Sequence, residues 1–278
     1  IQLLDGSEAT VSFQIGTQAS DELKVTLNKA DATTLGLGGS SGVRTITTNR
    51  LVKAGLDYSG TLAKAVSEGK KVGIIDLTQG EMATRGTPQL RARESQTAAE
   101  ILGVYFRENL NFKDAFIFND ENNQINVIKV IRKYQPKVIL CNAIKDRHTD
   151  HAKASDLVRH ACFLSGLQRI ETQNEDGSIQ TAFRPLHVFH YIQWDELSPN
   201  FVVDISGFLQ KKMKAIRAFK SQFYDEKDEE PNTPISSINF LECVESRAKN
   251  MGRLIFKDAA EGFTSDRLLG IENFDSIL

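Results

Sequence analysis

Two imidazoles three positions apart, His148 and His151, stand in the segment DRHTDHAKA that follows the apolar run Lys137 to Cys141. If that run is a strand and a helix resumes at Asp150, the pair sits at a strand-to-helix transition, where both rings can converge on one cation. Asp150 can orient a ring through a hydrogen bond, or it can serve as the helix N-cap. HxxH also occurs as plain loop polarity, so residue types alone leave metal binding, acid–base chemistry and capping open. All five histidines, His148, His151, His160, His187 and His190, lie in the second half of the chain.

A second cluster, TQGEMATRGTPQLRARE, follows the run Lys71 to Leu77. Thr78, Gly80 and Glu81 leave the expected sheet edge, and Arg85, Arg91 and Arg93 offer guanidinium groups suited to carboxylates or sugar hydroxyls. The bland reading is a helix with exposed pairs such as Arg91 with Glu94, worth roughly 0.2–0.5 kcal/mol. Both readings can hold at different residues.

The elements that must position these groups alternate in type. Gly60 to Glu68 suits a helix, and Lys71 to Leu77 is a β-branched run of the kind buried in a parallel sheet. The pattern then predicts a helix over Pro88 to Leu102, a strand at Ala115 to Phe118, a helix over Asn122 to Tyr134 and a strand over Lys137 to Cys141. A helix from Asp150 to Leu164 follows, then strands at Leu186 to Ile192 and Phe201 to Ile205. Asn174 to Ser178 and Tyr224 to Pro234 read as loops, and helices are expected at Ser206 to Gln222 and Ser236 to Asn250. This is an α/β series that predicts a doubly wound, mostly parallel sheet, whose ligands collect outside the carboxyl ends of the strands.

Residues 1 to about 50 have another character, rich in Thr, Ser, Gly and Ala, with Phe13 the only aromatic. Ala9 to Ile15 and Glu22 to Leu27 alternate apolar and polar residues about a turn, which predicts an N-terminal β-hairpin appendage. The glycines and serines from Gly36 to Gly42 read as a connector. The expected division is a hairpin segment with linker at 1–50 and a main domain at 51–278.

The 278 residues are 40% hydrophobic and 25% charged, with a net charge of -2, so no global attraction for nucleic acid or an anionic membrane is expected. Cys141, Cys162 and Cys243 are odd in number and widely spaced, which argues against disulfides and thiolate zinc sites and for a reducing cytoplasm. With no apolar run long enough to span a bilayer and no secretory pattern, a soluble, unexported protein is expected.

The ordered segments LTQGEMATRGTPQLRARESQTAAEILGV, NLNFKDAFI, IRKYQPKVILCNAIKDRHTDHAKASDLVRHACFLSGL, FRPLHVFHYIQ and PNFVVDIS together resemble LmbE-type, or PIG-L-type, zinc-dependent de-N-acetylases, and among them the bacillithiol-biosynthesis branch. The resemblance spans about residues 59–278. It implies a Rossmann-like domain binding one zinc ion and hydrolysing the acetamide of an N-acetylglucosaminyl compound, for this branch N-acetylglucosaminyl malate. By motif, His151 would be the metal ligand, His148 would polarise the amide carbonyl or stabilise the oxyanion, and Asp150 would support the histidine pair. Thr149 stands where that motif usually has Pro. Glu81, Arg85, Arg91 and Asp114 fall at substrate-contacting positions, Arg147 is a candidate for the malate carboxylates, and His190 for the pocket rim. A small-molecule amino-sugar partner and a homo-oligomer are implied, with no nucleic acid or membrane partner.

The resemblance also implies an HPDD motif a few residues before SGTLAKA, supplying two of three zinc ligands and the carboxylate base. Here Arg50, Leu51, Val52 and Lys53 occupy that place, and no histidine precedes His148. The family's first strand is missing with it, and Val43 to Val52 is the substitute available, more polar than a central strand should be. Residues 1–37 resemble instead an inner segment of bacterial flagellins, which makes the chain a composite. Three readings follow: a de-N-acetylase inactive if the motif is essential, a non-catalytic sugar-binding module, and a structural flagellin-derived fusion.

Overall fold

The computed structural model describes residues 57–225 and 230–277, together with the backbone of three strands at 9–14, 22–27 and 44–49. Two units divide the chain, Ile1–Gly42 and Val43–Leu278. In the first, β1 (Ala9–Gln14) and β2 (Glu22–Leu27) pair antiparallel with Ala9 opposite Leu27 and Gln14 opposite Glu22, the hairpin that their alternation predicts. The stretch read as a glycine-rich connector lies outside the described residues.

The second unit carries a seven-stranded sheet. Its strands are β3 (Arg44–Asn49), β4 (Lys71–Thr78), β5 (Phe106–Phe112), β6 (Val138–Cys141), β7 (His187–Tyr191), β8 (Phe201–Asp204) and β9 (Ala260–Ser265). The spatial order is β5-β4-β3-β6-β7-β9-β8, and every pair from β5 to β7 is parallel while β9 runs antiparallel to both its neighbours. The fold is therefore α/β with a mostly parallel sheet, as the alternating pattern predicts.

β3 takes the central slot despite its polarity. Thr45 pairs with Val72 on one side and Val138 on the other, and Thr47 with Ile74 and Leu140. Three of its six residues are β-branched threonines and one is isoleucine, which suits the extended backbone where hydropathy alone does not. From β3 the chain winds outward through β4 and β5, then crosses back to β6 and β7. That reversal makes a topological switch point at the carboxyl ends of β3 and β6, the crevice where open α/β sheets bind ligands.

Among the described residues six α-helices accompany the sheet: α1 (Ser59–Ser67), α2 (Pro88–Leu102), α3 (Glu121–Tyr134), α4 (Thr149–Leu164), α5 (Leu209–Arg217) and α6 (Ile238–Arg253). The two faces of β4 explain why Val72, Ile74, Ile75 and Leu77 are all apolar. Ile75 and Leu77 join α3 and α4 in one core cluster, whereas Val72 and Ile74 join α1 in another. α2 starts where Thr87 accepts the Leu90 N–H at 3.2 Å with Pro88 next, and it ends at Gly103 in the left-handed region.

Three expectations are corrected. The strand expected at Ala115 to Phe118 is Phe106–Phe112 instead. Ala115 has a positive φ, which interrupts extended backbone there, and Phe116 and Phe118 are exposed rather than core. The helix expected to reach Gln222 stops at Arg217, beyond which the chain turns. β9 has no counterpart in the sequence reading. Its Glu261 is buried, accepting the Gly60 and Thr61 N–H groups at 2.9 and 2.7 Å and Lys212 Nζ at 2.7 Å. α1 has no acidic residue in its first turn and no side-chain cap of its own, so Glu261 supplies the anion its N-terminus favours.

Candidate active site

Loops leaving β4 and β6 meet at the switch point. His148 is the N-cap of α4, and its Nδ1 accepts the Asp150 N–H at 3.2 Å. An Nδ1 that accepts carries no proton, so the neutral ring bears it on Nε2. Capping thus falls to His148, while Asp150 sits buried in the first turn.

His151 lies one turn on, buried, with its ring centroid 5.1 Å from that of His148. Its Nδ1 bonds the carboxylate of Asp146. The second carboxylate oxygen of Asp146 accepts the N–H groups of Trp194 and Asp195 at 2.8 and 3.0 Å. A carboxylate draws the imidazole proton to Nδ1 and makes Nε2 the basic nitrogen of the ring, the arrangement found behind metal-binding histidines. Asp146 is thus a functional candidate that sequence reasoning missed. Arg247 fixes the backbone segment that carries those N–H donors, bonding the carbonyls of Gln193 and Trp194.

Beside His148 opens a cleft of about 260 Å³ lined by Arg85, Arg91 and Arg147 with Met82, Ala83, Ala115, Gln222 and Ile235. Arg147 stacks over the Trp194 ring with its guanidinium carbon 4.6 Å from the centroid, leaving the fork's edge to meet an anion. Arg91 is buried and donates to the carbonyls of Gly80 at 3.2 Å and Arg85 at 2.6 Å. Arg85 donates to the Ser221 carbonyl at 3.1 Å and the Pro231 carbonyl at 3.4 Å. Both arginines therefore shape the loop from Gly80 to Gly86 as well as facing the cleft.

Glu81 and Asp114 lock the same loop. The Glu81 carboxylate accepts the Asp114 N–H at 2.7 Å, and Asp114 accepts the Met82 N–H at 3.1 Å. His190 is not at a rim: it is buried on β7, its Nδ1 lying 2.8 Å from Ser155 Oγ, 3.0 Å from the Asn142 carbonyl and 3.2 Å from Cys141 Sγ. It lies on the face of β7 opposite His187, Phe189 and Tyr191, and it does not line the cleft.

The family model described as PIG-L, GlcNAc-PI de-N-acetylase, matches residues 56–162, a span that runs from α1 through both site loops to α4. The chain carries a PIG-L-family de-N-acetylase domain. Diacetylchitobiose deacetylase of Thermococcus kodakarensis is 27% identical over 218 residues, covering 77% of this chain and 75% of that protein. The crystal structure of the conserved protein TT1542 from Thermus thermophilus superimposes with a TM-score of 0.72 at 30% identity, over 82% of this chain and 96% of that one. The N,N'-diacetylchitobiose deacetylase of Pyrococcus horikoshii, complexed with its inhibitor MPG, gives a TM-score of 0.69 at 21% identity, over 86% and 90% of the two chains, which shows the fold.

A catalytic zinc ion takes about three protein ligands plus water. In the PIG-L domain His151 Nε2 fits as one. Among the described residues no group of three or more His, Cys, Asp or Glu could hold a metal ion. The segment from Arg50 to Leu56, which follows the central strand, contributes two cations and no imidazole, thiol or carboxylate. Among the described residues, the donors do not fit a catalytic zinc.

Proposed function

We propose that the PIG-L domain binds an N-acetylglucosaminyl compound in the arginine-lined cleft and that de-N-acetylation is the reaction its residues serve. The observation that carries this is the pair His148 and His151 at the head of α4, each with its proton placed by a neighbour. His148 Nε2–H is the donor toward the acetamide oxygen, where negative charge develops as the amide is attacked, and a preorganised donor there acts without reorganisation. Arg147, with Arg85 and Arg91 behind it, suits a carboxylate on the aglycone, which supports the N-acetylglucosaminyl malate type. A homo-oligomer in a reducing cytoplasm belongs to the same proposal, the latter in keeping with three free cysteines.

A second reading, a sugar-binding module without turnover, is favoured by the missing metal donors after β3. Incubating the purified full chain with N-acetylglucosaminyl malate separates the two, with acetate followed by proton NMR, binding by calorimetry and zinc by mass spectrometry. Acetate release that depends on His148 supports the enzyme. Binding with no acetate at any zinc level supports the module. Neither binding nor release overturns both, and filament assembly would favour the flagellin-derived fusion. Light scattering measures the oligomer.

A further inference from the structure

We propose that Gln222 is the carboxamide that reads the substrate's acetamido group, an inference that rests on the amino-sugar reading of the cleft. Gln222 is 2% exposed, yet neither its Nε2 nor its Oε1 meets a hydrogen-bond partner among the described residues. It lines the same cleft as His148 and Arg147. On either side Phe219 and Phe223 are buried in an apolar cluster with Met213 and Leu241. A buried carboxamide lacking both partners is unfavourable by about 1–3 kcal/mol, so its presence asks for a ligand that supplies them.

The surroundings hold this side chain in place rather than merely tolerating it. Ser221, one residue before, is gripped by the buried Glu94 of α2, which accepts its N–H and its hydroxyl, each at 2.7 Å. Arg85 takes the Ser221 carbonyl at 3.1 Å, and the Gln222 N–H goes to the Phe219 carbonyl at 3.0 Å. Gly86 approaches so closely that a Cβ there would stand 2.7 Å from Ser221 Oγ. The N–H and carbonyl of Ser221 and the N–H of Gln222 are thus committed, while the carboxamide is left over.

An acetamido sugar offers the complementary set. Its N–H donates to Oε1, and Nε2 donates to an adjacent ring hydroxyl, leaving the acetyl oxygen to His148. A sugar with a plain hydroxyl at that carbon presents a different set and an unfilled acetyl space, so Gln222 would select for the N-acetyl group. Sites built to pair a polar ligand group reject analogues lacking it because their own buried groups are then stranded.

Calorimetry with methyl N-acetyl-β-glucosaminide and methyl β-glucoside, on the full chain and on Gln222→Met and Gln222→Asn, tests this. The wild type is expected to prefer the N-acetyl glycoside by about 10-fold or more, and Gln222→Met to bind it about 10- to 100-fold more weakly with the preference flattened. Gln222→Asn keeps the polar group but withdraws it by one methylene, and is expected to lose affinity while folding normally. Without ligand, Gln222→Met is expected to melt at a higher temperature than wild type, because an unpaired buried amide is removed; a structural role predicts the reverse. Wild type that binds the N-acetyl glycoside with both variants within twofold overturns the inference alone. Wild type that binds neither glycoside overturns the amino-sugar reading and this inference with it.

Discussion

Asp146 holds His151 from behind, one carboxylate oxygen on Nδ1 and the other on the N–H groups of Trp194 and Asp195 at 2.8 and 3.0 Å. Replacing Asp146 by Asn keeps an oxygen for those backbone donors but turns the imidazole relation around, since a carboxamide can donate to Nδ1 and drive the proton to Nε2. Asp146→Asn is therefore expected to fold normally and to lose about 10- to 100-fold in acetate release if the domain hydrolyses its ligand. Nitrogen-15 NMR of the imidazoles reads the tautomer directly: wild-type His151 should show protonated Nδ1, and the variant protonated Nε2. An unchanged tautomer would refute the orienting role.

How far the sequence foretold this arrangement differs from residue to residue. The strand before His148 and the helix after it carry strong periodic signals, so the position of the pair was legible. Asp146 was not, because its role depends on backbone donors 48 and 49 residues later that no local pattern marks. Ala115 to Phe118 looks like a strand because its aromatics are taken as core, and the structure leaves Phe116 and Phe118 exposed. β9 was illegible for the opposite reason. A glutamate and a glycine in six residues argue against a buried strand until Lys212 and the start of α1 are known to await that glutamate.

Glu261 and Lys212 form a buried pair at 2.7 Å with both side chains almost fully enclosed. Removing one partner leaves the other charge stranded, which typically costs about 3–5 kcal/mol. Glu261→Ala also strips the N-terminus of α1 of its anion. Urea denaturation should show Glu261→Ala destabilised in that range, whereas the double variant Glu261→Leu with Lys212→Met should recover at least half of the loss. Equal destabilisation of the single and double variants would show that capping α1, and not the charge pair, dominates.

Burial raises the thiols of Cys141 and Cys162, desolvation of the thiolate being the leading cause at both, while Cys243 is exposed. A folded-state pKa raised above the unfolded value means that folding holds the thiol protonated. The contribution is complete below the ordinary thiol pKa of about 8.5 and is lost as pH rises past it, when the unfolded chain ionises and the folded one does not. Between about pH 8.5 and 10, stability should fall by up to about 1.4 kcal/mol per pH unit for each buried thiol. Cys162→Ala should remove one thiol's share of that slope, whatever it does to stability at pH 7. A colorimetric thiol reagent should react with one cysteine in the native chain and three in guanidinium.

Gly252 sets two opposing effects of known size against each other. It lies in the last turn of α6, where alanine would improve helix propensity by about 0.8–1.0 kcal/mol. A Cβ there, however, would stand 2.5 Å from both the N and the Cα of Ala259, backbone atoms just before β9 that have no rotamer to change. The Ile255 and Lys257 N–H groups both bond the Gly252 carbonyl, at 3.0 and 2.9 Å, so the turn between helix and strand cannot swing outward without losing them. Overpacking of this kind costs about 1–3 kcal/mol and exceeds the propensity gain over most of that range. Gly252→Ala should therefore lower the melting temperature, while Gly270→Ala, with open space around it, should leave it unchanged. A rise on Gly252→Ala would mean that α6 and β9 are less tightly apposed than their geometry requires.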